Sequence, residues 1–426
     1  MLDIKLFRDT PEIIKDSLKK RFQEDKIKIV DDIIKLDKEF RDIKGKTDLL
    51  KHDRNEISKK IAELKKAGKD ATKVLAQAKK IPQEIADNDS KIKEIEEKIR
   101  EKLMQIPNIL HPKTPVGKDE KDSKVIKTWG KIVKHDFELK SHGEIAEGIK
   151  GADFTRSAKV AGTGFYYMTG DLALLNQALI RLAVDHLVKK GFTYVEPPLI
   201  LKKKPYSGVV DLGDFENVMY KIEGEDAYLI ATAEHPLVAM FMDEVIYEQQ
   251  LPIKLVGYSM CFRKEIGSHG VDTRGLFRTH QFNKVEQVIF CRPDESWKIF
   301  EELQRNSEEL FEALEIPYHV LDISSGDLGP IAARKHDIEA WMPKQGGYKE
   351  VTSCSNCLDY QARRLNIRYF DKDGNKNIPH TLNNTGIATS RALVAILENF
   401  QNKDGSVNIP KVLQPYMNGK KVIKGK

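Results

Sequence analysis

The chain has 426 residues, of which 40% are hydrophobic and 32% charged, and 71 basic against 65 acidic side chains give a formal net charge of +6. This length suits two or three domains, and the sequence contains no run of about eighteen apolar residues that could cross a membrane as a helix. The N-terminus MLDIKLFRDT lacks the apolar core of a signal peptide, and four cysteines are too few for a disulfide scaffold. These features exclude the membrane-spanning and disulfide-rich secreted classes, and we expect a cytoplasmic protein.

Residues 28–104 are rich in Lys, Asp and Glu and contain few aromatic residues or glycines. Apolar residues recur there at alternating spacings of three and four, which predicts two helices that pack along one coiled-coil seam. The seam would be formed by Ile33, Leu36, Phe40, Ile43, Leu50, Ile57, Ile61 and Leu64, and then by Ala78, Ile81, Ile85, Ile92, Ile95, Ile99 and Ile106. Because AGKD between the two runs is a turn signal, we predict an antiparallel helical hairpin.

A helix of about 35 residues would make this arm roughly 50 Å long. Pro82 falls inside the second run, where a proline costs a helix about 3 kcal/mol, so either the tip is irregular or the second helix begins there. From the residues alone, the arm can be a dimerisation or spacer coiled coil, or it can bind nucleic acid.

The arm ends at IPNILHPKTPVGKDE, a proline-rich polar segment that we interpret as a linker. We therefore expect an N-terminal helical arm over residues 1–112 and a second domain over residues 113–426. In the second domain, β-branched segments such as IKLVGYSMCF and FNKVEQVIFC alternate with helical ones such as ESWKIFEELQRNSEELFEALE. This pattern predicts an α+β fold with a mainly antiparallel β-sheet flanked by helices.

The second domain has neither of the two common glycine-rich phosphate loops, so a bound nucleotide would need other phosphate ligands. Arginine is suited to this role because its planar fork donates two hydrogen bonds and keeps its charge. In FRKEIGSHGVDTRGLFRTHQF, Arg263 and Arg278 stand at the two ends of a loop that contains Gly267, Gly270 and Gly275. Such a loop can fold over a triphosphate; the alternative is a solvated surface hairpin.

Further charged residues lie near this loop in the sequence or at the start of later elements. Glu265 is close to the first arginine, Glu286 lies on the next predicted strand, and Glu350 begins EVTSCSNC. Carboxylates of this kind can hold Mg²⁺ or an ammonium group. Near the C-terminus, an apolar helix carries Arg391 in its first turns; an ordinary helix N-terminus with a surface arginine is the alternative interpretation.

Three segments together resemble the signature motifs of class II aminoacyl-tRNA synthetases. GFTYVEPPLI resembles motif 1, FRKEIG…TRGLFRTHQFNKVE resembles motif 2, and LNNTGIATSRALVAILEN resembles motif 3. Within this class, Thr232-Ala233-Glu234 and YKEVTSCSNCLDYQARR are similar to segments of the seryl-tRNA synthetases, and so is the helical hairpin with its hinge. The resemblance runs in order over nearly the whole chain.

The resemblance implies that serine and ATP form seryl-adenylate and pyrophosphate, and that serine then moves to the 3′ end of tRNA(Ser), and of tRNA(Sec) where one exists. Three residues would be catalytic because they stabilise phosphate charge: Arg263, Arg278 and Arg391. ATP would be bound by Arg263, Lys264, Glu265, Arg278, Glu350, Val351, Thr352, Ser353 and Arg391. The Mg²⁺ that accompanies ATP would have Glu350 and Ser353 as its protein ligands.

For serine, the resemblance implies binding by Thr232, Ala233, Glu234, Arg263, Glu286 and Thr385. Thr385 would hydrogen-bond the substrate hydroxyl. A site built for a hydroxyl rejects an analogue that lacks it, because buried polar groups are then left unpaired, so alanine should be a poor substrate. Asn384 and Ser390 stand where the family usually has glycine, which alters the surroundings of this pocket without removing its polar groups.

The resemblance also implies partners. The arm would bind the long variable arm of serine tRNA through RNA shape and backbone, and motif 1 would form a homodimer that the tRNA bridges. A non-catalytic synthetase-like RNA-binding protein is the alternative, which the retained charged residues argue against. A ligase that loads a carrier protein is a further rival, but such an enzyme has no use for the arm.

Cys354 and Cys357 form a C-x-x-C pair that invites a metal or redox interpretation. A structural zinc site needs four ligands, and the sequence has no second pair; a thioredoxin-like motif would lie at a strand-to-helix turn. We therefore expect a buried structural pair and no zinc.

Overall fold

The computed structural model describes residues 1–265 and 275–425, so the loop glycines Gly267 and Gly270 lie outside the described residues. The chain divides into two compact units, Met1–Ile109 and Leu110–Lys426. This division falls at Ile109, whereas the proline-rich segment suggested residue 112.

The N-terminal unit is helical. Its helices are α1 (Ile4–Asp9), α2 (Pro11–Lys20), α3 (Ile27–Lys66) and α4 (Thr72–Gln105). The two long helices run antiparallel, since Lys102 near the end of α4 lies 2.9 Å from the Asp32 carboxylate near the start of α3. Thr47, which falls between Ile43 and Leu50 of the predicted seam, is buried and donates its hydroxyl to the Ile43 carbonyl at 2.8 Å. The periodic spacing of apolar residues thus predicted this hairpin correctly.

Pro82 lies inside α4, and the helix continues through it. The proline lacks the N–H of a helical hydrogen bond, which costs about 3 kcal/mol. On either side of that defect, Ile81 and Ile85 are only 8% and 6% exposed. Burial of these side chains favours the continuous helix over the irregular tip that the proline alone would allow.

The second unit combines helices with strands. Its helices are α5 (His142–Gly148), α6 (Phe154–Ala161), α7 (Gly170–Lys189), α8 (Lys203–Val209), α9 (Leu212–Phe215), α10 (Glu234–Ala239), α11 (Ser296–Ala313), α12 (Tyr360–Arg364) and α13 (Thr389–Asn399). Its strands are β1 (Lys124–Trp129), β2 (Ala152–Asp153), β3 (Tyr167–Met168), β4 (Thr193–Val195), β5 (Ile200–Lys202), β6 (Ala227–Leu229), β7 (Val245–Tyr247), β8 (Ile253–Phe262), β9 (Gln281–Cys291), β10 (Tyr318–Asp322), β11 (Arg334–Met342), β12 (Gly347–Asn356), β13 (Arg368–Phe370), β14 (Lys376–Asn377), β15 (His380–Ala388), β16 (Val407–Asn408) and β17 (Val422–Ile423).

An eight-stranded sheet organises this unit, in the order β1-β10-β11-β12-β15-β9-β8-β4. Its neighbours pair antiparallel except at one edge, where β4 runs parallel to β8. The predicted α+β class with a mainly antiparallel sheet and flanking helices is therefore confirmed.

Strand β9 separates the hydrophobic core from a polar cleft. Val285 and Ile289 belong to the core cluster that also contains apolar residues of α7, α11 and α13. Successive side chains of a strand point to opposite faces. Phe282, Lys284 and Glu286 accordingly line the cleft on the other face of β9. In the described part of the chain, no helix has the length and apolarity that crossing a membrane requires.

Candidate active site

A cleft of about 390 Å³ lies beside β9, β12 and β15 in the second unit. Segments that are far apart in the sequence form its walls. The predicted site residues that line it are Thr232, Glu234, Arg263, Glu265, Arg278, Glu286, Glu350, Val351, Thr352, Ser353, Thr385 and Arg391. The antiparallel sheet brings them together because β9 pairs with both β8 and β15, and β15 pairs with β12.

Arg263 follows β8 directly and lies against an aromatic ring. Its Nε and Nη2 atoms are each 3.4 Å from the Ala231 carbonyl oxygen, and its guanidinium carbon is 5.2 Å from the centre of the Phe282 ring. Such a cation–π contact orients the planar group at little cost in mobility. Phe282 was not among the predicted site residues, although its spacing of four from Glu286 along a strand places both side chains on one face.

Arg391, in the first turn of α13, pairs with Glu350 on β12. Its Nη1 donates to the backbone carbonyl of Glu350 at 2.8 Å and lies 3.1 Å from the side-chain Oε2. Desolvation raises the pKa of Glu350, but the charges of Arg391 and Lys335 outweigh it and hold that pKa below its usual value. The guanidinium also lies 5.2 Å from the centre of the Phe277 ring. This wall therefore presents an ionised carboxylate and a fixed cation side by side.

Arg278 and Glu265 line the cleft on either side of the loop that lies outside the described residues. Arg278 is exposed, so its guanidinium is accessible to an anion in the cleft. Gly275, the one loop glycine that the structure describes, has φ +155°. A Cβ at this position would lie 2.3 Å from Nε2 of His142, so the close approach of the backbone to this imidazole requires glycine.

A buried ion pair lies behind Ser353, and neither of its two residues was among the predicted site residues. Nζ of Lys335 is 3.0 Å from Oδ2 of Asp337, and the β11–β12 register places Asp337 opposite Ser353. Burial, opposed by the charge of Lys335, raises the pKa of Asp337. Oδ1 of Asp337 is buried, and no described residue donates a hydrogen bond to it. A second carboxyl group therefore lies near Glu350, and its burial favours the protonated form.

Three polar groups converge on one oxygen at the other end of the cleft. Oε2 of Glu286 lies 2.6 Å from Nζ of Lys284 and accepts the hydroxyls of Thr232 and Thr385, each at 3.4 Å. Glu286 and Lys284 are only 1% and 7% exposed. Lys284 was not among the predicted site residues, although a separation of two along a strand puts it on the same face as Glu286.

Glu234, the first residue of α10, is the second carboxylate at this end. Its Oε1 accepts a hydrogen bond from Nε2 of Gln361 at 2.9 Å, and Oε1 of Gln361 in turn accepts the Thr381 hydroxyl at 2.6 Å. Burial and the charge of Glu286 raise the pKa of Glu234 to about 7. Two carboxylates beside several hydroxyls can bind an ammonium and a hydroxyl group. Gln361 lies in the YQARR part of a recognised segment, but nothing in that pattern indicated its role.

Two predicted site residues do not lie on the cleft wall. Ala233 is fully buried in a hydrophobic cluster, and the ammonium of Lys264 lies 6.0 Å from the centre of the Tyr220 ring. Asn384, which replaces a glycine of the family pattern, points away from the cleft: its Nδ2 donates to Oγ of Ser307 at 2.8 Å. This substitution therefore leaves the polar groups of the cleft in place.

The four cysteines are buried and form no disulfide. Burial raises the pKa of Cys354 and of Cys357 well above the usual value, so both thiols stay protonated at neutral pH. Cys357 lies in the cleft wall, where Nδ2 of Asn383 is 3.7 Å from its sulfur. Within residues 1–265 and 275–425, no three His, Cys, Asp or Glu side chains are arranged to bind a metal ion.

Two family models match the chain. The model of the seryl-tRNA synthetase N-terminal domain matches residues 1–110. The model of the tRNA synthetase class II core domain (G, H, P, S and T) matches residues 218–400.

Full-length relatives agree with both matches. The serine–tRNA ligase of Methanocella arvoryzae is 53% identical over 421 residues, which cover 98% of this chain and 99% of that protein. A crystal structure of seryl-tRNA synthetase from Pyrococcus horikoshii complexed with ATP superimposes with a TM-score of 0.95 at 47% identity and covers 100% of both chains. A crystal structure of the cytoplasmic serine–tRNA ligase from Naegleria fowleri in complex with AMP gives 0.90 at 36% identity, covering 100% of this chain and 99% of that one. The chain therefore belongs to the seryl-tRNA synthetase family of class II aminoacyl-tRNA synthetases.

Proposed function

We propose that this protein is a serine–tRNA ligase, which activates L-serine with ATP and transfers it to tRNA(Ser), and to tRNA(Sec) in a cell that has one. The observation that carries the proposal is the composition of the cleft. Carboxylates and hydroxyls suited to an amino acid lie at one end, and arginines against aromatic rings lie at the other. Relatives that span the whole chain are named serine–tRNA ligases, and two similar structures were solved with ATP and with AMP.

In the activation step, a carboxylate oxygen of serine attacks the α-phosphorus of ATP. The bond between the α-phosphorus and the oxygen that bridges it to the β-phosphate breaks, and pyrophosphate leaves. Serine is already ionised at neutral pH, so this attack needs no general base. Arg263 stabilises the charge that develops on the α-phosphate, while Arg278 and Arg391 bind the outer phosphates. Glu265 accepts a hydrogen bond from the adenine amino group, and the ring of Phe282 offers the base a stacking surface.

Mg²⁺ would be held by Glu350 and Ser353. In nucleotide sites, Mg²⁺ takes one or two protein carboxylates and completes its octahedron with phosphate oxygens and water, which fits one carboxylate and one hydroxyl on the same strand. The Glu350 side chain is 47% exposed and so open to the cleft. Val351 and Thr352 are buried and support this wall. When bound, the ion would supply positive charge that neutralises the phosphates of ATP.

Serine binds at the end of the cleft that carries Glu286. Glu234, Glu286 and Thr232 receive the substrate ammonium, and Thr385 hydrogen-bonds the substrate hydroxyl. Arg263 lies between this end and the phosphates, so the serine carboxylate is directed at the α-phosphate. In the second step, a hydroxyl of the terminal adenosine of the tRNA attacks the carbonyl carbon of seryl-adenylate, and AMP leaves.

The N-terminal unit binds the tRNA in our proposal. Lysines near the end of its hairpin are exposed: Lys65, Lys66, Lys69, Lys73, Lys79 and Lys80. Cations on the exposed surface of a helical hairpin suit the RNA backbone. A homodimer through motif 1 is supported by exposed apolar side chains in and beside that segment, among them Tyr194, Leu199 and Ile200 at 39%, 38% and 48%. Aminoacylation for translation would place the protein in the cytoplasm.

The activity is tested by amino-acid-dependent exchange of labelled pyrophosphate into ATP with serine, threonine, alanine and glycine. We expect exchange with serine, and at least about 100-fold slower exchange with alanine, because alanine leaves the hydroxyl-binding group unpaired. Charging of tRNA(Ser) then checks the second step. The absence of exchange with all four amino acids would contradict the proposal and favour a non-catalytic RNA-binding protein.

The raised pKa of Glu234 predicts a pH dependence of serine use. Below about pH 7 this carboxylate gains a proton and no longer accepts the substrate ammonium, so kcat/KM for serine should fall about tenfold per pH unit. Pyrophosphate exchange at saturating MgATP, measured from pH 5.5 to 8, tests this. Glu234→Gln should be slower at neutral pH and should lose the acid limb. An acid limb of equal midpoint in both proteins would assign the titration to another group.

A further inference from the structure

Lys284 is the one cation, among the described residues, that forms an ion pair with Glu286. Its ammonium lies 2.6 Å from Oε2, and the two side chains are 8% and 2% exposed. Arg263, the other cation at this end of the cleft, instead lies against Phe282 and the Ala231 carbonyl. Nothing in the sequence patterns assigned Lys284 a role.

A buried ion pair of this kind contributes little to the stability of the folded state. Removing both charges from water costs several kcal/mol per ion, and a well-packed apolar pair is often as stable or more stable. Its value here lies in geometry, because Oε2 of Glu286 is also the acceptor for Thr232 and Thr385. The ion pair with Lys284 and the two hydroxyl hydrogen bonds all engage Oε2, and no described residue donates a hydrogen bond to the second oxygen, Oε1.

The charges at this end of the cleft also indicate that Lys284 acts on the Glu286 carboxylate. Glu234 and Glu286 are two carboxylates, and a serine molecule brings a single ammonium to them. Two neighbouring carboxylates with one cation between them would tend to share a proton. In the proposed function Arg263 faces the serine carboxylate and the α-phosphate, so Lys284 supplies the second cation that the two carboxylates face once serine is bound.

We propose that Lys284 is a positioning residue for serine: its ammonium fixes the Glu286 carboxylate through Oε2, so that Oε1 receives the substrate ammonium. This inference rests on the proposed function and deepens it. Lys284 acts through Glu286 and makes no bond to the reacting atoms. It should therefore control the binding of serine and leave the binding of ATP nearly unchanged.

The test is Lys284→Met, which keeps the length of the side chain and removes the charge. We expect KM for serine in pyrophosphate exchange to rise at least tenfold and KM for ATP to change less than about twofold. Lys284→Arg, which keeps the charge, should recover part of the loss. A binding readout accompanies the kinetics: the rise in Tm on addition of serine should disappear in Lys284→Met, while the rise on addition of ATP should remain.

Lys254→Met is the matched control. Lys254 is also a strand lysine, on β8, with its ammonium 2.6 Å from a carboxylate oxygen of Glu302, but it does not line the cleft. Its replacement should leave KM for serine unchanged. If Lys284→Met does not fold, Lys284→Gln carries the same measurement.

Each outcome separates this inference from the function on which it rests. Exchange with serine in the wild type but an unchanged KM in Lys284→Met overturns the role of Lys284 alone. Equal increases of KM for serine and for ATP also overturn it, since they indicate a general structural effect. Wild-type protein without serine-dependent exchange instead contradicts the proposed function. In the background of Glu286→Gln, the effect of Lys284→Met should vanish, because its target is gone.

Discussion

Replacing Arg263 by alanine should lower the kcat of serine-dependent pyrophosphate exchange about 1,000-fold. Removing one preorganised donor from a developing negative charge typically costs 10² to 10³ in rate, roughly 3 to 4 kcal/mol, and this arginine offers two donors and a full charge. The guanidinium lies against Phe282, so its orientation is set before ATP arrives. Its contribution therefore needs no rearrangement during the reaction.

The folded state should tolerate this change. The contacts of the Arg263 side chain to the Ala231 carbonyl are long, at 3.4 Å, and the group is only partly buried. We expect a change in the free energy of unfolding within about 1 kcal/mol, which a melting curve will check. The loss of rate can then be assigned to the chemical step.

Arg292→Ala is the matched control. Arg292 directly follows the last residue of β9. It forms ion pairs with Glu248 and Glu295 at 3.0 Å, away from the cleft. Exchange should change less than about twofold in this variant, since neither of these ion pairs involves a residue that lines the cleft. Arg263→Lys keeps the charge and loses the planar fork, so it should recover only a small part of the rate. An Arg263→Ala enzyme with near-wild-type exchange would show that another group stabilises the α-phosphate.

Periodicity in the sequence was enough to predict the elements of the fold. The spacing of three and four in the arm and the β-branched runs in the second unit are local signals, and the hairpin and the antiparallel sheet followed from them. The continuation of α4 through Pro82 could not be predicted from these local signals, because it depends on the burial of Ile81 and Ile85. The parallel pairing of β4 with β8 also depends on contacts between segments distant in the sequence.

The residues of the candidate site likewise divide into those that the sequence predicted and those that it did not. Residues inside recognisable motifs were identified, and the structure brings most of them to one cleft. Lys284, Gln361 and the Lys335–Asp337 pair were missed, because their roles come from partners on other segments or from alternation along one strand. A buried charge is recognisable as functional only when its partner is known, and a single sequence does not give that partner.

The second large effect that we expect concerns the arm. Replacing Lys65, Lys66, Lys69 and Lys73 by alanine should lower kcat/KM for tRNA(Ser) about 100-fold, because phosphate contacts supply much of the affinity for RNA. These four lysines are exposed near the end of the hairpin. Alanine is the best helix former, so α3 and α4 should persist, and circular dichroism will check this. The dependence of KM for tRNA on salt should also become shallower.

Serine-dependent pyrophosphate exchange should be unchanged in this variant, because the cleft lies wholly in the second unit. The control carries four alanines at exposed lysines of that unit, Lys372, Lys376, Lys403 and Lys411, and should charge tRNA(Ser) normally. An equal loss of exchange and charging would indicate damage to the fold. Normal charging after loss of the four arm lysines would contradict an electrostatic role for this end of the hairpin. Because exchange needs no tRNA and charging does, the ratio of the two rates reports on the arm alone.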